Sequence, residues 1–144
     1  MTRKLVLMTA VVLAVGGAAQ AEGIDPVLVR QAGQDLVAGT FVGIKAVITS
    51  NGDVKTVEGP ANAIRKWSLQ FPTLFPAGSD KGNTKAAPTI WSDQAGFQKA
   101  AMNLGTAAEA LATAAKAGDS TAAAAAFKEV GEACGACHKE YRLK

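Results

Sequence analysis

The chain has 144 residues, 49% of them hydrophobic and 19% charged, with a formal charge of +3. Arg3 and Lys4 lie in a segment expected to be removed, so the mature charge is about +1, and no basic patch supports nucleic-acid binding. Two cysteines and one histidine cannot supply the four ligands of a structural zinc site.

Residues 1–21 read as a secretory signal, with Arg3 and Lys4 as the charged start, Leu5 to Val15 as the apolar run and Ala19-Gln20-Ala21 as a cleavage site. The apolar run is too short for a membrane span, and no later stretch is apolar enough. A soluble, exported protein without a membrane anchor is expected, with the periplasm as its address. The remaining 22–144 is long enough for one domain with its own core.

Asp25-Pro26 is a cap residue followed by proline at the first helical position, so a helix should begin there. Its seam runs through Val27, Arg30, Gln34, Val37, Phe41, Ile44 and Ile48. Gly33, Gly39 and Gly43 each weaken that helix by roughly 1 kcal/mol, which suggests close approach of a neighbouring helix or a second subunit. Ser50-Asn51-Gly52-Asp53 is a turn whose Asp53 can cap the next segment. The second helix should be kinked or broken at Gly59-Pro60, with its main part from Pro60 to about Phe71 and an inner stripe of Ile64, Trp67 or Ser68, and Phe71. Pro72 to Ala87 is a long loop, and such loops are often functional.

A third helix is predicted from near Pro88 to Ala117, burying Trp91, Phe97, Ala101, Leu104, Ala108, Leu111 and Ala115, with Gly118 as its stop. Asp119-Ser120 begins the fourth, which leads into Phe127, Val130, Cys134, His138 and Tyr141. Strand signals are absent. The pattern predicts an all-α fold, an antiparallel four-helix bundle.

The chemistry concentrates in Cys134-Gly135-Ala136-Cys137-His138, the C-x-x-C-H spacing of c-type haem attachment. Two thiols at this spacing can add to the two vinyl groups of a haem, and His138, one turn after Cys134 on the same face, can ligate its iron. The same cysteines could instead form a disulfide or a redox-active dithiol, although a thioredoxin-like motif should follow a strand.

Several stretches together resemble cytochrome c′, the class II, high-spin branch of the c-type cytochromes. Arg30-Gln31-Ala32-Gly33 is similar to the family's first-helix signature, Thr84 to Trp91 to its entry into the third helix, and Ala117-Gly118-Asp119 to its third turn. Cys134 to Arg142 resembles its haem signature with a tyrosine-arginine tail. The resemblance implies a left-handed bundle, commonly a homodimer, with one covalent haem c on Cys134 and Cys137, iron held by His138, and the sixth position open. It further implies that Arg30 and Gln31 hold the haem propionates, that Thr84 and Lys85 lie against the haem, and that Arg142 sits beside the proximal histidine and influences ligand exchange and redox potential. A guanidinium suits the propionate role because it pairs with a carboxylate in bidentate fashion.

Gln34 departs from the pattern, because the family usually places Leu, Met, Phe or Tyr where it stands. A buried amide without partners costs roughly 1–3 kcal/mol, so Gln34 should hydrogen-bond something in the distal pocket, unless it turns to the surface and Val37 or Leu36 covers the haem. The low-spin relative cytochrome c-556 uses a first-helix methionine as sixth ligand, and after signal removal the sole methionine here is Met102 on the third helix. The expected function is therefore binding of small diatomic gases, nitric oxide and carbon monoxide, with possible electron transfer to a periplasmic partner. No acid-base pair marks the chain as an enzyme. The competing functions are a saturated low-spin electron carrier, a haem-free disulfide protein and a thiol oxidoreductase with a low-pKa cysteine.

Overall fold

The fold is that of a computed structural model, which describes residues 23–144; the signal segment predicted at residues 1–21 lies outside the described residues. Helix α1, Pro26–Thr49, starts where Asp25 Oδ1 accepts a hydrogen bond from Val27 N at 2.8 Å, with Pro26 needing no partner at the first position. It ends in a turn where Asn51 takes φ 54°, a left-handed conformation that asparagine tolerates better than most residues. Asp53 then caps a single 3₁₀ turn, Val54–Val57, by accepting from Lys55 N at 3.0 Å.

That turn runs directly into α2, Glu58–Gln70. The irregularity expected at Gly59-Pro60 therefore sits just before that pair, at the change from 3₁₀ to α geometry. Pro60 falls in the first turn of α2, where a missing N–H leaves no intrahelical bond unmade. A second 3₁₀ turn, Phe71–Leu74, opens the long loop.

The third helix is also interrupted. Thr89–Ser92 forms one turn, α3, and the chain leaves helical geometry at Asp93 (φ −129°, ψ 63°) before α4, Gln94–Ala117. Asp93 Oδ1 accepts from Gly96 N at 3.0 Å, so it is the N-cap of α4 rather than an interior residue of one long helix. Helix α4 stops at Gly118 (φ 73°), and α5, Ser120–Tyr141, starts from Asp119, whose Oδ1 accepts from Ala122 N at 2.9 Å.

The four long helices α1, α2, α4 and α5 form the predicted bundle, with α4 packed most extensively against α2 and α5 and α1 touching its neighbours more sparingly. The two ends of the bundle differ in kind. Towards the turns at residues 50–53 and 118–119, Ile44, Val54, Val57, Ala61 and Ile64 close on Ala107, Ala108, Leu111, Ala115, Ala123 and Val130. Alanines on α4 and α5 let those backbones approach with little side chain between them. At the other end Arg30, Trp67, Phe97, Cys134 and His138 surround a cavity of about 870 Å³.

Trp67 wedges the cavity end open. Its six-membered ring lies on the backbone of α1 at Gly33, so that a Cβ there would fall inside the ring. Close approach was expected at Gly33, Gly39 and Gly43, and α2 supplies it at Gly33 alone; the other two face open space. The Gly33→Ala variant should therefore lose about 1–3 kcal/mol of unfolding free energy through overpacking, read by denaturant titration, whereas Gly43→Ala should be neutral or slightly stabilising in a monomer through better helix propensity.

Candidate functional site

Each long helix contributes one half of its inward stripe to the cavity. Helix α5 brings Cys134, Cys137, His138 and Tyr141, which its 3.6-residue period places on one side. Helix α1 brings Arg30, Gln31, Gln34 and Val37, and α4 brings Phe97 and Leu104. The loop contributes Thr84, Lys85 and Ala86, and Arg142 lies at the rim. Every site residue expected from the sequence thus borders one cavity.

Cys134 and Cys137 are half-buried and free, not joined to each other. Burial pushes both thiols above their ordinary pKa, and for Cys137 the neighbouring Cys134 pushes further. They rest as neutral thiols, the reverse of the activated thiolate that a thiol oxidoreductase needs. Among the described residues no three His, Cys, Asp or Glu side chains gather closely enough to hold a metal ion by themselves. His138 is held below its ordinary pKa by burial first and by the charge of Arg142 second. Its imidazole is therefore neutral near pH 7, the form that ligates iron.

Arg30 occupies the expected place with a different geometry. It is only 4% exposed, and its Nη1 donates to Leu74 O at 3.2 Å and Ser79 Oγ at 3.0 Å. Nη2 donates to Ser79 O at 2.5 Å and Thr84 Oγ1 at 2.9 Å, and the guanidinium stacks over the Phe75 ring at 4.6 Å. Both terminal nitrogens bond the loop, so Arg30 organises the cavity edge beside the propionate role that the resemblance implies. Burying a charge demands such satisfaction, and desolvation still lowers the Arg30 pKa, with Asp25 opposing. Gln31 acts likewise from the exposed side, its Nε2 donating to Asn83 O at 2.5 Å. Thr84 is a junction, since Oγ1 also accepts from Ala86 N at 3.2 Å.

Lys85 and Arg142 are exposed side chains on adjoining backbones. Ala86 and Arg142 form an isolated antiparallel bridge, and Leu143 N donates to Lys85 O at 2.8 Å. Gln34 is half-buried and borders the cavity, while Leu36 is 73% exposed and does not reach it. Of the residues offered as alternative cover, only Val37 borders the cavity beside Gln34.

Ser79 was not foreseen. The signal was present in Pro76-Ala77-Gly78-Ser79, a turn closed by Ser79 N donating to Pro76 O at 3.2 Å with Gly78 at φ 84°. What no pattern announces is that this turn aims its serine at a guanidinium on another helix. Phe71, Phe75 and Phe97 pack edge to face beside it, and Tyr141 continues the ring cluster through Phe97 at 5.3 Å.

The residues fit a haem on observations of their own. The cavity is large and lined by aromatic and aliphatic groups, as cofactor sites are. It places two thiols and a neutral imidazole on one face of α5. Trp67, which borders it, keeps a buried indole N–H without a partner among the described residues, a sign of a polar group still to be accommodated.

Comparison with known proteins agrees. The sequence model of the family described as Cytochrome C′ matches residues 25–142. A cytochrome c-556 of Agrobacterium tumefaciens (strain B2A) is 40% identical over 92 residues, which cover 64% of this chain and 74% of that protein. The crystal structure of cytochrome c′ from Thermochromatium tepidum superposes with a TM-score of 0.78 at 34% identity, covering 83% of this chain and 95% of that one. A nitric oxide complex of a cytochrome c prime variant from Alcaligenes xylosoxidans gives 0.75 at 32% identity, covering 83% and 94%. The family match spans all four long helices and the whole of the cavity lining, so this chain belongs to the cytochrome c′ family.

Proposed function

We propose that the protein is a periplasmic c-type haem protein that binds small diatomic gases at an open axial position of its iron, and that also passes electrons to a periplasmic partner. When bound, the haem supplies an iron that changes oxidation state and takes axial ligands. Cys134 and Cys137 would tether it through thioethers and His138 would ligate the iron. Arg30 and Gln31 hold the loop that closes the cavity edge, so their part in retaining a propionate runs mainly through Thr84 and the loop backbone.

The observation that carries this function is the lining of the cavity on the α1 and α2 side. Gln34, Val37, Phe41, Trp67 and Phe71 stand there, and none of them is a strong iron ligand. Met102, the one methionine among the described residues, is 57% exposed on α4 and does not border the cavity. The similarity to a cytochrome c-556 therefore brings no methionine ligand from the described residues of this chain, and the α1 and α2 side of the cavity offers a low-spin iron no sixth ligand. The nitric oxide complex of the Alcaligenes xylosoxidans variant supports a gas as the ligand.

We further infer that the protein pairs with a second copy through the outer face of α1. Leu28, Leu36 and Val42 are 64%, 73% and 64% exposed there, beside Gly39 and Gly43 with open space above them. Glycines beside exposed aliphatic side chains on one helix face are what close helix packing needs.

Protein matured with a cytochrome c assembly system should show, when reduced, a broad high-spin Soret band that sharpens and shifts with carbon monoxide or nitric oxide; sharp low-spin bands indifferent to both gases would make it an electron carrier instead. Replacing Gln34 with leucine should remove about 1 kcal/mol of hydrogen bonding to a bound, hydrogen-bond-accepting ligand, speeding its release roughly fivefold in stopped-flow measurement. Leu36→Glu should shift the sedimentation of the haem protein from dimer to monomer without altering its spectrum.

A further inference from the structure

We propose that Asp93 and Tyr141 are positioning residues for His138, acting through a clasp that fixes the last turn of α5 against the start of α4; the proposal rests on His138 being the iron ligand. A ligating histidine usually has its second nitrogen held by a carboxylate, a carbonyl or water. Neither ring nitrogen of His138 has a hydrogen-bond partner among the described residues. No side chain or carbonyl of the described residues fixes its ring, so the backbone that carries it becomes the means of positioning it.

That backbone is the end of a helix, where the last carbonyls have no intrahelical partner and the turn tends to fray. Here two of those carbonyls are taken up by the segment leading into α4. Thr89 Oγ1 donates to Glu140 O at 2.7 Å, and Ala87 N donates to Tyr141 O at 3.1 Å. Leu143 N donates to Lys85 O just beyond. The side-chain element of the clasp is Tyr141 Oη, which donates to Asp93 Oδ2 at 2.9 Å, and this bond raises the pKa of the phenol.

The interruption of helical geometry at Asp93 makes the bond possible. With Oδ1 capping Gly96 N and Oδ2 accepting from Tyr141, one carboxylate ties the first turn of α4 to the last turn of α5. Gly96 belongs to the device, because a Cβ there would overlap both the Asp93 carboxylate and the Tyr141 hydroxyl. One turn back along α5 from Tyr141 stands His138, and the Tyr141 ring is held from the cavity side by Phe97. A tyrosine anchored at both its ring and its hydroxyl leaves the turn little freedom to rotate.

The test uses the haem protein matured in vivo, with the resonance Raman iron–histidine band of the reduced form as readout, since a role confined to stability would not move it. Tyr141→Phe, which keeps the ring and loses the hydroxyl, should shift and broaden that band and change the rate of carbon monoxide release. Asp93→Asn keeps Oδ1 for the Gly96 cap but sets an Nδ2 donor opposite Tyr141 Oη in place of the acceptor, so it should shift the band in the same direction. Glu140→Gln, which keeps the carbonyl bonded by Thr89 and alters only a side-chain carboxylate that makes no bond in the clasp, should leave the band unchanged. A band unchanged in position and width in both Tyr141→Phe and Asp93→Asn would overturn the proposal while leaving the gas-binding function intact. A low-spin, gas-indifferent wild type would instead overturn that function, and the clasp would then stand or fall on whether the His138 ring signals in paramagnetic NMR move in the same two variants. Should Tyr141→Phe fail to hold haem, the Asp93→Asn spectrum decides alone.

Discussion

The packing of α4 sets the terms for everything else in this molecule. Its C-terminal half presents alanines at 107, 108, 112, 114 and 115, and these draw α2 and α5 close enough to exclude any filling between them. Rigid helices drawn together at one end can separate at the other only if something wedges them. Trp67 against Gly33, and the packed rings of Phe71, Phe75 and Phe97, supply the wedge. A cavity in a close-packed protein is costly unless a ligand fills it, so the division of each helix into a closing half and an opening half is itself a statement about function.

The sequence made the closing half and the chemistry legible and left the connections dark. Asp25-Pro26, Asp53, Gly118 and Asp119 announced helix ends because caps act within three or four residues, a range over which sequence determines geometry. The C-x-x-C-H spacing was legible for the same reason, since one helical turn fixes which side chains share a face. Asp93 was not. Its surroundings, Thr89 to Gln94, contain no residue that forbids a continuous helix, and the carboxylate that caps Gly96 there also accepts from Tyr141, 48 residues away. Local pattern cannot report a long-range bond that outweighs propensity. Pro60 was legible to within two residues, because a proline is tolerated only in the first turn of a helix and α2 begins at Glu58, where the 3₁₀ turn gives way.

Arg30 shows how a resemblance can name a residue without revealing the protein contacts it makes. A guanidinium suggests a salt bridge to a carboxylate, and its four bonds to Leu74, Ser79 and Thr84 make it an organiser of the loop as well. The difference matters energetically. A charge only 4% exposed must have its donors satisfied by groups that are always present, whereas an exposed ion pair contributes little. The same guanidinium also connects the two ends of the site. Through Thr84 to Ala86, and from the Ala86 backbone to Arg142, it ties the first turns of α1 to the tail of α5.

Gln34 sits on α1 one turn beyond Arg30, so whatever holds Arg30 also holds the register of Gln34 in the cavity. The Gln34 amide and the histidine-bearing turn are therefore fastened to one continuous strap, residues 79–93, rather than to each other. A ligand that pulled on the Gln34 amide would meet resistance from Arg30 and its loop, and motion of His138 would meet it from Asp93 and Tyr141. A strap bonded at both ends suits the gas-binding function proposed above, because a pocket already shaped needs no ordering when its ligand arrives.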